Sequence, residues 1–187
     1  MPSGPGIISD NEIFKISSFT PPGVDTFLLT QETTIEGILK HAHRTKTKSI
    51  QLVDAVPTCV YQKLRSKLPF VSLIQVIHVL NQNAVEEAIA IAPFVDALLL
   101  DSGNPNLDIK ELGGTGRTHN WELSKAIVDR LETPVFLAGG LSPCNILKAY
   151  KKVNPYGFDL CSGVRTNGKL DEKKLKAFFD TLESAIL

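Results

Sequence analysis

Short apolar runs alternate with longer segments of helical periodicity along the whole chain. Continuous apolar runs predict buried strands, and apolar residues at three- and four-residue spacing predict amphipathic helices. Such alternation indicates a parallel α/β fold. The predicted strands are residues 24–30, 49–53, 73–79, 97–101, 135–138 and 157–161. The predicted helices are a first one that is capped at Ser9 or Asp10 and ends at Phe19, then residues 33–44, 57–68, 83–92, 121–131, 143–153 and 171–186.

The strand count limits the possible architectures. Six predicted strands are two fewer than a (β/α)₈ barrel contains. The first predicted helix has no strand before it and is expected to turn Ile13, Ile16 and Phe19 inward. The length suits one domain, residues 1–187, with a sizeable core. The pattern therefore predicts a single α/β domain, built as an open parallel sheet or as part of a barrel.

Two glycine turns follow the last two predicted strands. Gly139-Gly140 ends one apolar run, and Ser162-Gly163 ends the next. A strand–helix–strand unit of this length forms a parallel pair, so both turns open at the same edge of the sheet. Free backbone N–H groups at such an edge can gather around an anion. The pair predicts a phosphate site, although either turn alone could be an ordinary strand-to-helix connection.

Charge and cysteine content narrow the possible partners. The chain has 20 basic and 20 acidic residues, which gives no electrostatic basis for binding nucleic acid or an anionic membrane. No apolar run approaches the roughly 18 residues of a membrane span. The three cysteines and four histidines show no metal-ligand spacing, so we expect no metal. An odd cysteine count without Cys-x-x-Cys predicts a soluble protein of the reducing cytoplasm.

A series of motifs points to a known family. They are Leu99-Leu100-Asp101-Ser102, then Gly113-Gly114-Thr115-Gly116 with Trp121, then residues 135–143 (VFLAGGLSP), then Asp159 and Ser162-Gly163-Val164. In order and spacing they resemble phosphoribosylanthranilate isomerase, and a weaker resemblance extends upstream to about Ile8-Ser9.

The resemblance implies a (β/α)₈ barrel enzyme of tryptophan biosynthesis. Its reaction converts N-(5-phosphoribosyl)anthranilate into 1-(2-carboxyphenylamino)-1-deoxyribulose 5-phosphate, an Amadori rearrangement that needs no cofactor. An acid protonates the ribose ring oxygen, and a base then removes the proton from C2. The family's acid ends the sixth strand, which corresponds to Asp101 here. Its base is a Cys in a Lys-Ile-Cys-Gly motif on the first strand, and this sequence contains no such motif.

The resemblance also implies roles for residues around the acid. The phosphate of the substrate is expected to lie against the four residues of the two glycine turns, namely Gly139, Gly140, Ser162 and Gly163. Gly114, Thr115 and Gly116 are expected to bind substrate or to form a lid. His78 ends a strand where the family often has a basic residue, so it is expected to contact the substrate carboxylate; a solvent-facing side chain is the alternative. Cys161 could replace the base, but we interpret it as a small strand residue.

Several positions depart from the family pattern. Val53-Asp54 stand where the family has His-Gly, His119-Asn120 where it has Phe-Asp, and Arg165 where it has Glu. Alignment through Ile8-Ser9 leaves the first strand, the first helix and most of the second strand without a counterpart. The two open sheet edges that result are expected to favour a homodimer. The alternative function is a non-catalytic module that binds a phosphosugar for regulation.

Overall fold

The computed structural model describes residues 7–107 and 116–186. Six parallel strands form one sheet: Phe27–Thr30 (β1), Ser49–Leu52 (β2), Ser72–His78 (β3), Ala97–Asp101 (β4), Val135–Leu137 (β5) and Gly157–Phe158 (β6). Arg165–Thr166 (β7) and Lys169–Leu170 (β8) form a short antiparallel hairpin. The helices are Asp10–Phe19 (α1), Ile35–Thr45 (α2), Thr58–Lys67 (α3), Asn83–Ile91 (α4), Trp121–Val128 (α5), Ile146–Val153 (α6) and Glu172–Ile186 (α7).

The strand order in the sheet follows the chain order from β1 to β6 without reversal. Because crossovers between parallel neighbours are right-handed, successive helices then lie on the same face of the sheet. Each helix from α4 onwards packs against the next, which forms a continuous helical layer. This is the arrangement of a (β/α) barrel; a doubly wound sheet reverses its strand order near the middle. The predicted set of six parallel strands is confirmed.

Two apolar layers cover the two faces of the sheet. Side chains alternate between the faces along each strand, so that in β4 Leu98 and Leu100 pack under the helices while Ala97 and Leu99 face the other way. The layer on the side away from the helices is small and consists of Val53, Ile74, Val76, Ala97, Leu99, Phe136 and Ala138. All five residues of β4 are buried, in agreement with its position inside the sheet between β3 and β5.

Local capping accounts for the start of α1. The Ser9 hydroxyl accepts the Glu12 N–H at 3.3 Å, and the Glu12 carboxylate accepts the Ser9 N–H at 3.0 Å. This reciprocal pair is a capping box.

The longest described helix, α7, has 15 residues. Within the described ranges no helix combines the length and the apolarity needed to cross a bilayer.

The prediction for the inward face of α1 is partly wrong. Ile13 packs against the core, but Ile16 is 56% exposed and Phe19 is 86% exposed. The reason is that α1 packs mainly against α2, which leaves its other face without a neighbour in the described chain. Phe27 and Leu29 of β1 are also about half exposed. Within the described residues, the outer edges of β1 and β6 have no strand partner.

Two predicted strands are each three residues longer than the observed ones. The predicted strand 24–30 begins at Phe27, and the predicted strand 157–161 ends at Phe158. The extra residues include the polar Asp25, Thr26 and Asp159, which interrupt the apolar runs. Cys161 therefore lies after β6, half-buried at the start of a turn, and the prediction that it is a strand residue is wrong.

The segment before α5 contains a half-buried histidine. Asn120 caps α5 by accepting the Glu122 N–H at 3.0 Å. His119 Nε2 lies 2.7 Å from the hydroxyl of Ser124, which is fully buried. Burial lowers the pKa of His119 from 6.5 to about 4. The histidine is therefore neutral in the folded protein at neutral pH, and protonating it disfavours the folded state.

We expect His119 to make the protein sensitive to acid. In the unfolded chain the histidine binds a proton near pH 6.5, but in the folded chain only near pH 4. Its contribution is therefore fully present above pH 6.5 and is lost as the pH falls towards 4, by about 2 kcal/mol at pH 5. Between pH 7 and pH 5 the free energy of unfolding, measured by urea denaturation, should fall by about 2 kcal/mol less in the His119→Phe variant than in wild type. The matched control is His43→Gln, at an exposed histidine on α2. Equal losses in wild type and His119→Phe would contradict the expectation.

Candidate functional site

The turn after β5 has a backbone shape that requires glycine. Gly139 has φ +81° and Gly140 has φ +60°, in the left-handed region that other residues rarely adopt. Asn145 holds the turn from the far side: its Nδ2 donates to the Gly140 carbonyl and its Oδ1 accepts the Ser142 N–H, both at 2.9 Å. The main-chain groups of this turn are therefore fixed in position.

The turn after β6 lies directly against the turn after β5. A Cβ atom added to Gly163 would overlap the carbonyl oxygen of Leu141. A Cβ atom added to Gly140 would lie 2.6 Å from the carbonyl carbon of Arg117. A Cβ atom added to Gly116 would lie 3.5 Å from the Ser162 hydroxyl oxygen. Three loop segments therefore meet at the C-terminal edge of the sheet.

Where these segments meet, the structure brings together most of the residues that the sequence predicts to bind the phosphate or to form a lid. Gly139, Gly140 and Gly163 are half-buried, and Gly116 and Ser162 are exposed. Gly114 and Thr115 lie outside the described residues. The structure thus supplies the proximity that a phosphate site needs, and the roles of these residues stay predictions.

Asp101 lies one strand away from the glycine turns, at the C-terminal end of β4. Its side chain is only 6% exposed. Burial raises the pKa of this carboxyl, while a hydrogen bond from the Ser102 backbone and the charge of His78 act in the opposite direction. A carboxyl whose pKa is raised keeps its proton to higher pH, which suits a proton donor.

His78 lies on the other side of Asp101, at the paired position on β3. Its Nε2 is 3.0 Å from the Val53 carbonyl oxygen. A carbonyl only accepts, so Nε2 carries a hydrogen and Nδ1 is left as the free nitrogen. Nδ1 is buried and has no hydrogen-bond partner among the described residues. The position of His78 agrees with the prediction that it lies at the C-terminal edge of the sheet. Its contact with the substrate stays a prediction.

The His78 side chain lines a cavity of about 370 Å³ between the ends of β2 and β3 and helix α4. The lining also includes Val76, Leu80 and Glu87. Burial raises the pKa of Glu87, and the charge of His78 partly opposes this. The lining residues do not include the glycine turns, so His78 and the turns flank Asp101 from opposite sides.

A buried polar network supports the His78 side of the site. The Tyr61 hydroxyl donates to Gln75 Oε1 at 2.7 Å, and Gln75 Nε2 donates to the carbonyls of Leu52 and Asp54 at 3.1 Å. Gln75 therefore holds the end of β2, from which the Val53 carbonyl reaches His78. Sequence reasoning missed this role, although a glutamine within an apolar strand is a signal that could have indicated it.

Asp159 is a second carboxyl of the site that sequence reasoning treated only as part of a motif. Its N–H donates to the Leu137 carbonyl at 2.9 Å, which continues the ladder beyond β6. Its side chain is exposed on the open side of β6. Desolvation by the neighbouring protein raises the pKa of Asp159, and the charge of Asp101 raises it further. The signal that could have revealed it is its position just after a strand, as for Asp101.

Comparison with known proteins identifies relatives over nearly the whole chain. The family model described as N-(5'-phosphoribosyl)anthranilate (PRA) isomerase matches residues 9–181. The N-(5'-phosphoribosyl)anthranilate isomerase of Methanocella arvoryzae is 31% identical over 171 residues, which cover 91% of this chain and 78% of the relative. The N-(5'-phosphoribosyl)anthranilate isomerase 2 of Methanosarcina mazei is 35% identical over 167 residues, which cover 88% of this chain and 72% of the relative.

Solved structures show the same likeness. Phosphoribosylanthranilate isomerase from Thermotoga maritima superposes with a TM-score of 0.81 at 28% identity, covering 98% of this chain and 84% of that one. A phosphoribosylanthranilate isomerase in complex with reduced 1-(o-carboxyphenylamino)-1-deoxyribulose 5-phosphate superposes with a TM-score of 0.77 at 26% identity and the same coverage. The barrel-like fold class is thereby confirmed, and the chain belongs to the N-(5'-phosphoribosyl)anthranilate isomerase family.

Proposed function

We propose that the C-terminal edge of the sheet binds N-(5'-phosphoribosyl)anthranilate with its phosphate at the glycine turns and its ribose ring beside Asp101. Family membership makes the chain an isomerase of tryptophan biosynthesis. The observation that carries the proposal is the direct contact of the turns after β5 and β6, one strand from the buried Asp101 carboxyl.

The phosphate end of the proposal rests on main-chain groups. Gly139 and Gly140 have left-handed backbone conformations, and Gly116, which lies close to Gly140, is next to the Ser162 hydroxyl at the junction of the loops. Successive N–H groups in such turns form concave sites that favour anions. The related enzyme with a bound reduced deoxyribulose 5-phosphate shows that a family member accommodates a ligand with this phosphate.

A negative charge at Ser162 is expected to weaken phosphate binding. Ser162→Asp introduces a carboxylate at an exposed position. Repulsion between like charges should weaken the binding of ribose 5-phosphate by at least about tenfold, measured by calorimetric titration. Ser184→Asp, on the exposed face of α7, is the matched control and should bind as wild type does. Unchanged affinity of Ser162→Asp would place the phosphate elsewhere.

Asp101 is the proton donor in this proposal. Protonation of the ribose ring oxygen opens the ring, and the anilino nitrogen stabilises the resulting cation as an iminium. The raised pKa of Asp101 supports this role, because the carboxyl keeps its proton to higher pH than an ordinary aspartate does. Acid–base groups alone carry this chemistry, so the proposal includes no cofactor.

Removing the acidic proton of Asp101 is expected to stop the reaction without unfolding the protein. Asp101→Asn keeps the size of the side chain and should lower kcat by at least about 10²-fold. Its free energy of unfolding at neutral pH should not fall, because a neutral amide replaces a carboxyl that is buried at a desolvation cost. The loss of substrate fluorescence and urea denaturation measure the two quantities. Turnover within a few-fold of wild type would exclude Asp101 from the mechanism.

The aryl end of the substrate is assigned to the His78 side of Asp101. In the imidazolium form, Nδ1–H becomes a donor for a carboxylate, while Nε2–H remains bound to the Val53 carbonyl. Val76 and Leu80 supply apolar surface in the same cavity. A substrate with its phosphate at the turns and its carboxylate at His78 would place the ribose over Asp101.

A second copy of this chain is the proposed partner of the open sheet edge. Phe27 and Leu29 of β1 and Ile16 and Phe19 of α1 are exposed. Among the described residues β1 has no strand partner at its outer edge, and such edges favour strand pairing. One structural neighbour, from Thermotoga maritima, is described as a dimeric enzyme that was converted into monomers.

The three cysteines are unpaired thiols, which supports the assignment to the reducing cytoplasm.

Self-association is expected to depend on the β1 edge. Phe27→Lys places a charge on the exposed apolar edge and should lower the apparent mass in sedimentation experiments at rising concentration. Phe70→Lys is the matched control, since Phe70 is 97% exposed but lies in the loop before β3, two strands away from β1 in the sheet. If both variants, or neither, dissociate, the interface lies elsewhere.

A further inference from the structure

Gln75 of β3 carries a buried amide on the face of the sheet opposite to the candidate site. Its side chain is 1% exposed. Residues two apart on a strand share a face, so Gln75 lies on the same face as Leu73 and Ile77, which pack under the helices. His78 lies on the other face with Val76. The main chain of the sheet therefore separates the Gln75 amide from the side on which the substrate is proposed to lie.

The hydrogen bonds of Gln75 fix the orientation of its amide. Its Oε1 accepts the Tyr61 hydroxyl at 2.7 Å. Its Nε2 donates to the carbonyl oxygens of Leu52 and Asp54, both at 3.1 Å, and of Val76 at 3.0 Å. The reversed amide would place its oxygen against three carbonyl oxygens, none of which can donate a hydrogen. Only one orientation of the amide therefore satisfies all of these partners.

The two carbonyls that Gln75 binds on the β2 side belong to the residues before and after Val53. The Val53 N–H donates to the Thr30 carbonyl at 3.0 Å, which continues the ladder between β1 and β2 beyond Leu52. Because the flanking carbonyls are bound by one amide, the Val53 carbonyl between them has a fixed direction. It lies 3.0 Å from His78 Nε2. Gln75 thus acts on His78 through the main chain at the end of β2.

The Val53 carbonyl selects one form of the His78 ring. A carbonyl only accepts, so the neutral ring keeps its hydrogen on Nε2 and has none on Nδ1. The main chain of His78 is held as well, since its carbonyl accepts the Leu80 N–H and the Val79 N–H donates to the Asp101 carbonyl, both at 2.9 Å. Ring and backbone are therefore both fixed at the position paired with Asp101.

A fixed ring matters here because an imidazole without a partner can turn and can carry its hydrogen on either nitrogen. Burial raises the pKa of Asp101 and of Glu87, and the charge of His78 opposes the rise in both. With Nε2 held by the Val53 carbonyl, a proton taken up by the ring can only be placed on Nδ1. That nitrogen is then the donor for a carboxylate of the substrate.

We infer that Gln75 is a positioning residue of this isomerase, which fixes the end of β2 so that the Val53 carbonyl holds His78 Nε2 and leaves Nδ1 for the substrate. This inference rests on the proposed function, in which His78 binds the aryl carboxylate. That carboxylate takes no part in the bond changes, so its contact is equally strong in the ground state and in the transition state. Loss of the Gln75 amide is therefore expected to change KM more than kcat.

The first test is the form of the His78 ring in the full chain. Nitrogen NMR at alkaline pH distinguishes a neutral ring nitrogen that carries a hydrogen from one that does not, and the His78→Gln variant identifies the resonances. Wild type should carry the hydrogen on Nε2. Gln75→Met keeps the length of the side chain but removes the amide, and it should give a mixture of the two tautomers. A hydrogen on Nδ1 in wild type would overturn the inference.

The second test is the division of the effect between KM and kcat. Gln75→Met should raise the KM for N-(5'-phosphoribosyl)anthranilate by about tenfold or more and lower kcat by less than about threefold. Its affinity for ribose 5-phosphate should equal that of wild type, since β3 lies two strands from β5 and the glycine turns. Gln75→Glu keeps the acceptor for Tyr61 but loses the amide donors, and it should show the same division.

The matched control is Thr45→Val, which removes another buried polar group. Thr45 is fully buried on α2, and its hydroxyl donates to the His41 carbonyl at 2.9 Å. This variant should keep the wild-type KM and the wild-type form of the His78 ring. A change in either one that matches Gln75→Met would mean that any loss of a buried hydrogen bond has this effect, and would overturn the inference.

The outcomes separate this inference from the proposed function. If folded Gln75→Met and Gln75→Glu keep the wild-type KM, or if kcat or the affinity for ribose 5-phosphate falls as much as KM rises, the inference is wrong and the proposed function stands. If neither variant folds, Tyr61→Phe replaces them: it removes the partner of Oε1 and should give the same changes at smaller size, and wild-type behaviour would overturn the inference.

A wild-type chain that consumes no substrate would contradict the proposed function. The NMR measurement then decides on Gln75 alone. A mixture of tautomers in folded Gln75→Met would support the positioning of His78, and the single wild-type form would overturn it.

Discussion

The backbone contact between the turns after β5 and β6 is the constraint on which the candidate site depends. Gly163 lies against the Leu141 carbonyl and Gly140 against the Arg117 backbone, and neither contact leaves room for a side chain. The positions of these main-chain groups follow from the register of β5 and β6 and from the Asn145 hydrogen bonds. A phosphate site built in this way depends little on neighbouring side chains. A departure from the family pattern such as Arg165 can therefore be tolerated beside it.

Burial gives Asp101 its chemical character. The carboxyl lies at the end of a strand whose five residues are all buried, where desolvation favours the protonated form. On one side it is next to His78, which the Val53 carbonyl and the Gln75 network hold in place. On the other side the glycine turn after β5 begins directly after Ala138. Asp101 thus lies between the His78 cavity and the glycine turns.

Asp159 and Ser162 follow β6, the shortest strand of the six-stranded sheet. β6 has two residues, so the positions of Asp159 and Ser162 depend on contacts other than the strand itself. Phe158 packs edge-to-face on Phe178 of α7 with ring centroids 6.4 Å apart, and Phe178 is nearly fully buried. Helix α7 therefore holds the last strand against the sheet. At the other end, β1 has no comparable cover for Phe27 and Leu29 among the described residues.

The amino-acid sequence by itself determined the order and type of the elements, because the period of apolar residues differs between strands and helices and is a local property. It also indicated Asp101 and the glycine turns, since a polar or glycine residue directly after a buried strand must lie at one edge of a parallel sheet. Only the tertiary structure decided which residues meet across strands. The pairing of His78 with the Val53 carbonyl and the Gln75 network depend on register between segments far apart in the chain. The exposure of Ile16 and Phe19 was likewise decided there, because an amphipathic pattern shows which face of a helix is apolar but not whether a neighbour covers it.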